Sequence, residues 1–145
     1  MNPALAPLLA TRSKDDPLHW RFALACVARV QHLLESTEVI AQLAVLRAFV
    51  EGACDRATLD RAAAVAAGLA TRHRGSSSID GTAHSAVSAT HAVARALAGR
   101  AGEAADYAAY AAVYAYASHA VTDPEAFAEE HAWQLETWQR LAHPG

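Results

Sequence analysis

The sequence predicts a single all-α domain built as a bundle of five to six mostly antiparallel helices. Three observations carry this expectation. Alanine, the best intrinsic helix former, fills 38 of the 145 positions. Apolar residues recur at intervals of three and four along most of the chain, and nowhere does the alternation of a strand persist. Short Gly, Ser, Asp and Pro signals separate the periodic segments, which makes consecutive helices antiparallel neighbours. With 53% apolar and only 19% charged residues, a chain of this length can build one core without metal or disulfide.

The elements follow in order. Residues 1–15 read as an irregular N-terminal arm, because Pro3 and Pro7 interrupt a helix, and residues 16–145 read as one helical domain. Asp16 before Pro17 is a start signal, since the carboxylate accepts from free N–H groups and proline loses nothing in the first turn. From there Leu18, Phe22, Cys26, Val30 and Leu33 mark a first helix over residues 17–36. A break at Ser36 and Thr37 leads to a second over 38–52, with Val39, Leu43, Leu46 and Val50 on one face and Gly52 as its stop. Thr58 is the expected cap of a third helix carrying Leu59, Ala62, Ala66 and Leu69 and ending near His73. After the Gly75–Ser78 loop, a fourth spans Asp80 to Gly99 and a fifth Glu103 to Ala120. Thr122 and Glu125 form a capping box around Pro124 for the sixth, which sets Ala128, His131, Leu135 and Trp138 on one face. The expected core is Phe22, Cys26, Val30, Leu43, Val50, Leu69, Val87, Tyr110, Tyr114, Leu135 and Trp138.

Charge and composition exclude several classes. The net charge is −3, only one of the 12 cationic residues is a lysine (Lys14), and no concentrated basic face argues for nucleic acid. The longest uncharged stretch, Tyr107 to Thr122, is too short and too rich in tyrosine to span a membrane. Cys26 and Cys54 are isolated in apolar surroundings, as expected in a reducing compartment. No leader pattern follows Met1, so the expected location is the cytoplasm.

Eight histidines invite a search for chemistry. His84 and His91 are two helical turns apart on one face, roughly 10 Å along the axis, too far to bind one metal directly. His119, with His73, is the candidate partner from another helix. Tyr107, Tyr110 and Tyr114 share a face of the fifth helix, while Tyr116 points elsewhere. Together His84, His91, His119, Tyr107, Tyr110 and Tyr114 form a candidate polar cluster. Its structural reading has each histidine neutral and bonded to a carbonyl, hydroxyl or tyrosine across an alanine-lined seam, fixing how the fourth and fifth helices pack. Trp133, Trp138 and Tyr116 are candidate interface anchors, since large aromatic side chains often carry binding energy. Glu129-Glu130-His131 is not a metalloprotease signature, because position 135 is Leu where a second histidine is needed. No phosphate loop or serine elbow is present, and no catalytic set, metal ligand set or cofactor is expected.

At the histidine helix the chain resembles a known family. The segment Gly81-Thr82-Ala83-His84-Ser85-Ala86-Val87-Ser88-Ala89-Thr90-His91-Ala92 is similar to a segment of the Imm-5-like immunity proteins, small alanine-rich helical proteins of bacteria. In both, a second histidine follows the first by seven residues, and an Ala- and Tyr-rich helix comes next, here Ala105 and Tyr107 through Ala112. Cys26 to Val30 resembles that family's first helix, Arg47 to Gly52 its second, and Trp138 to Leu141 its closing signature. The likeness spans roughly residues 18–144. Two features depart from it: Val93, Ala94 and Arg95 stand where a further histidine is usual, and Glu38 to Ala41 replaces an arginine-proline cluster.

The resemblance implies an immunity role and leaves the biochemical activity open; the favoured expectation is a compact domain that binds and blocks another protein, such as a toxin, with no catalytic activity. Two other readings stand beside it. One is a small metal- or ligand-binding enzyme using His84 and His91, with His119 and Asp106 or Glu103. The other is a homo-oligomeric module joined through alanine-rich helix faces.

Overall fold

A computed structural model describes residues 1–72, 82–116 and 123–144. Those residues form seven α-helices and no strand: α1 (Leu5–Ala10), α2 (Pro17–Val30), α3 (Thr37–Val50), α4 (Arg56–Arg72), α5 (Thr82–Leu97), α6 (Ala101–Tyr116) and α7 (Ala128–Ala142). The all-helical class is as expected, and the count is one higher than the upper expectation. The extra helix is α1, inside the arm expected to be irregular. Pro7 falls within the first turn of α1, where its missing N–H has no intrahelical partner to lose, so it does not interrupt the helix.

Local chemistry sets most of the boundaries. Asp16 accepts from the Leu18 amide at 2.8 Å and starts α2 at Pro17. This bond holds the Asp16 carboxyl below its usual range. The first helix stops at Val30, earlier than expected, and a 3-10 turn over Gln31–Leu33 follows it. Ser36 caps α3 through the Val39 amide. At α4 the cap is Asp55, not Thr58: its carboxylate accepts from both the amide and the hydroxyl of Thr58. Asp123 accepts from the Glu125 amide and starts a 3-10 turn, Pro124–Phe127, that leads into α7. The expected capping residue Thr122, the Gly75–Ser78 loop and His73 lie outside the described residues.

The core lies between α2, α5 and α6. α5 packs chiefly on α6 and α4 and also touches α2 and α3, while α7 and α1 close the far side. α5, the histidine helix, is therefore central in the bundle. Alanine makes it possible: Ala86, Ala89, Ala92 and Ala96 of α5 and Ala101, Ala104, Ala105, Ala108 and Ala111 of α6 are all buried, so two backbones can approach closely. Of the expected core, Phe22, Cys26, Val30, Leu43 and Trp138 are buried. Val50, Leu69, Val87, Tyr114 and Leu135 are half-buried, and Tyr110 is exposed at 38%. A tyrosine on an alanine-rich helix need not enter the seam, because the alanines already fill it.

The arm is fastened at two points. The Asn2 side chain is buried and donates to the His131 carbonyl at 3.1 Å and to Gln134 Oε1 at 3.0 Å. Gln134 in turn donates to the Ala105 carbonyl at 3.0 Å, so arm, α7 and α6 are joined by one polar relay. Nearby, a ring nitrogen of His19 meets the Leu9 carbonyl at 3.0 Å.

The α5–α6 turn depends on Gly99. Its φ of +79° suits glycine, and a Cβ there would lie 3.1 Å from Cη2 of Trp20. Gly99→Ala is expected to cost about 1–2 kcal/mol from the left-handed backbone alone, with the indole contact adding to it. Chemical denaturation would check this, and a loss below about 0.5 kcal/mol would show that the turn relaxes without strain.

Candidate functional site

The antiparallel hairpin of α5 and α6 aligns the residues singled out in the sequence. His84 and Tyr114 are each 15 residues from Gly99, and His91 and Tyr107 are each eight from it. Both pairs meet: His84 stacks on Tyr114 with ring centroids 5.2 Å apart, and His91 on Tyr107 at 5.0 Å. Each histidine thus lies against a tyrosine of the next helix by ring stacking. The expected burial of both is not met, since His84 is exposed and His91 half-buried. They occupy the narrow outer strip of α5, and its alanines form the seam. His84 meets its tyrosine through the ring face, where a hydrogen bond was expected.

The row continues onto α7. Tyr110 packs edge-on to Tyr114 at 4.7 Å and donates its hydroxyl to that of Tyr114. This bond, with burial adding to it, pushes the Tyr110 phenol up to about 12. On its other side Tyr110 stacks with Phe127 at 6.2 Å, and Phe127 lies 5.9 Å from His131. The outer face of α6 is thus an aromatic strip flanked by histidines from α5 and α7. Sequence reasoning missed Phe127 and the site role of His131, because nothing in the chain's periodicity says which α7 residues lie beside α6.

The three interface candidates separate. Trp138 is 3% exposed and packs edge-on to Phe22 and His19, so it belongs to the core and cannot anchor a partner. Trp133 is half-buried beneath the Arg29 guanidinium, 4.4 Å from its ring. Tyr116 is exposed at 61% and donates its hydroxyl to the Ala126 carbonyl. His119 lies outside the described residues.

Charge is distributed unevenly along the chain. Between Arg100 and Arg140 the chain has no Lys or Arg and seven carboxylates: Glu103, Asp106, Asp123, Glu125, Glu129, Glu130 and Glu136. That run is visible in the sequence and is hidden by the small net charge. Glu130 is buried and held by Arg29 in a two-point ion pair at 2.8 and 2.9 Å, and Glu103 pairs with Arg95 and Arg100. Among the described residues the other five have no ion-pair partner. Burial raises the Asp106 carboxyl above its ordinary value, against the pull of the N-terminal ammonium and His131.

No group of three His, Cys, Asp or Glu side chains among the described residues could hold a metal ion. No helix among them is long and apolar enough to cross a membrane. No family model, curated protein or solved structure matches the chain.

His131 also sets a pH response. Burial, then the N-terminal ammonium, lower its pKa from 6.5, opposed by Asp106 and Glu130. Its contribution to stability is therefore complete above about pH 6.5 and is lost as pH falls through the lower folded value. Between pH 7 and 5 the wild type should lose more thermal stability than a His131→Gln variant. Parallel curves for the two proteins would show that His131 contributes nothing to the acid response.

Proposed function

We propose that this chain is a protein-binding domain that uses the α5–α6–α7 face to hold and block a basic partner protein, in keeping with the immunity role that its resemblance to the Imm-5-like proteins implies. One observation carries the reading: an aromatic strip with Tyr110 exposed at its outer edge lies on α6 and the approach to α7, within the stretch between Arg100 and Arg140 where five carboxylates lack ion-pair partners among the described residues. Large aromatic side chains supply contact area at small entropic cost. Carboxylates without counter-charges favour a cationic partner and accelerate its encounter.

The experiment is crosslinking and capture from the source cell, followed by binding measurements on each captured protein in purified form. The reading requires that the captured protein be basic and that its affinity fall with salt. Tyr110→Ala combined with Glu125→Lys and Glu129→Lys should weaken it at least tenfold, with hydrogen-exchange protection confined to α5, α6 and the start of α7. Equal binding by the wild type and that triple variant, or protection on α3 and α4, would sink it.

A further inference from the structure

On the outer side of α6 a cleft of about 390 Å³ is lined by Ser88, Glu103, Asp106, Tyr107 and Tyr110. Ser88 comes from α5, at the level between the two His–Tyr pairs. It is 7% exposed, and its hydroxyl has no hydrogen-bond partner among the described residues, although it opens on the cleft. Because the Ser88 hydroxyl opens on the cleft, water or a ligand group can reach it there. Two tyrosine rings and two carboxylates complete the lining.

We propose that this cleft receives a guanidinium group, an arginine side chain of the basic partner. The proposal rests on the protein-binding reading above and deepens it. A guanidinium is planar, stacks on aromatic faces and donates in a fork that fits a carboxylate. An amide-like neutral group would bring Asp106 no charge at ion-pair distance, and a compact ammonium would not stack on the tyrosine rings as a planar guanidinium does. The chain's own Arg95 uses the same chemistry on two of the lining residues: its guanidinium lies 5.7 Å from the Tyr107 ring and 3.7 Å from Glu103. Asp106 has no guanidinium at ion-pair distance among the described residues; it accepts from the Asn2 amide and feels the N-terminal ammonium from beyond that distance. In the cleft Asp106 accepts from one edge of the incoming group, Tyr107 and Tyr110 flank its plane, and Ser88 Oγ accepts a remaining N–H.

The test uses the full chain and N-acetyl-arginine methylamide as probe, followed by NMR, with the lysine and citrulline counterparts as controls. The arginine probe should give saturable shifts at residues 88, 106, 107 and 110, the lysine probe should bind several-fold more weakly, and the citrulline probe should give none. Asp106→Asn should weaken the arginine probe at least tenfold and Ser88→Ala several-fold, with melting temperatures near that of the wild type. No saturable shift, equal binding of arginine and lysine probes, or undiminished binding to Asp106→Asn would each overturn the proposal. The two readings fail separately. Capture lost in the surface triple variant but unchanged in Asp106→Asn would remove the cleft and leave the protein-binding face.

Discussion

Trp138→Ala is expected to lower stability by about 3–5 kcal/mol, the usual cost of truncating a buried large aromatic. The indole packs edge-on to Phe22 at 5.5 Å and to His19 at 5.8 Å. Phe22 itself is fully enclosed, so neighbours can close the cavity only by moving the centre of α2. For a domain of this size the loss corresponds to a melting temperature lower by roughly 10 °C. Tyr116→Ala provides the contrast: removing an exposed ring should change stability by less than about 0.5 kcal/mol. If the two variants melted together, the placement of Trp138 in the core would be wrong, and its role as an interface anchor would return.

Arg29→Ala should cost about 3 kcal/mol, at the low end for breaking a buried ion pair because the arginine side chain is about a third exposed. The guanidinium ties α2 to α7 by two bonds to Glu130 and also covers the Trp133 ring. Without it the buried Glu130 carboxylate has no counter-charge. The more telling comparison is the double variant Arg29→Met with Glu130→Leu, which removes both charges and keeps the volume. Its stability should lie well above that of Arg29→Ala, because most of the single-variant loss comes from stranding a buried charge. A double variant as unstable as the single one would show that the loss came from packing against Trp133 and not from the ion pair.

The helical class and most element positions are legible in the amino-acid order alone. Alanine content, the three-and-four period and the signals at Asp16, Ser36, Gly52 and Gly99 are local, and a local hydrogen bond or a left-handed glycine acts on its own neighbours whatever the rest of the chain does. The His–Tyr pairing was also encoded: equal spacings of seven on two helices joined near Gly99 bring His84 to Tyr114 and His91 to Tyr107. The acidic run between Arg100 and Arg140 was equally legible, once charge is counted by segment and not over the whole chain.

Which side of each helix faces inward depends on packing between helices. On an alanine-rich helix nearly every face is apolar enough to be buried, so periodicity cannot choose, and Tyr110 was placed in the core when it lies at the surface. Trp138 is expected both in the core and as an interface anchor, because a large aromatic suits either, and only contact with Phe22 and His19 separates the two. Phe127, His131 and the docking of Asn2 on Gln134 are contacts between segments distant in sequence. Each depends on how α7 and the arm lie against α6, and no local pattern in the chain records that packing.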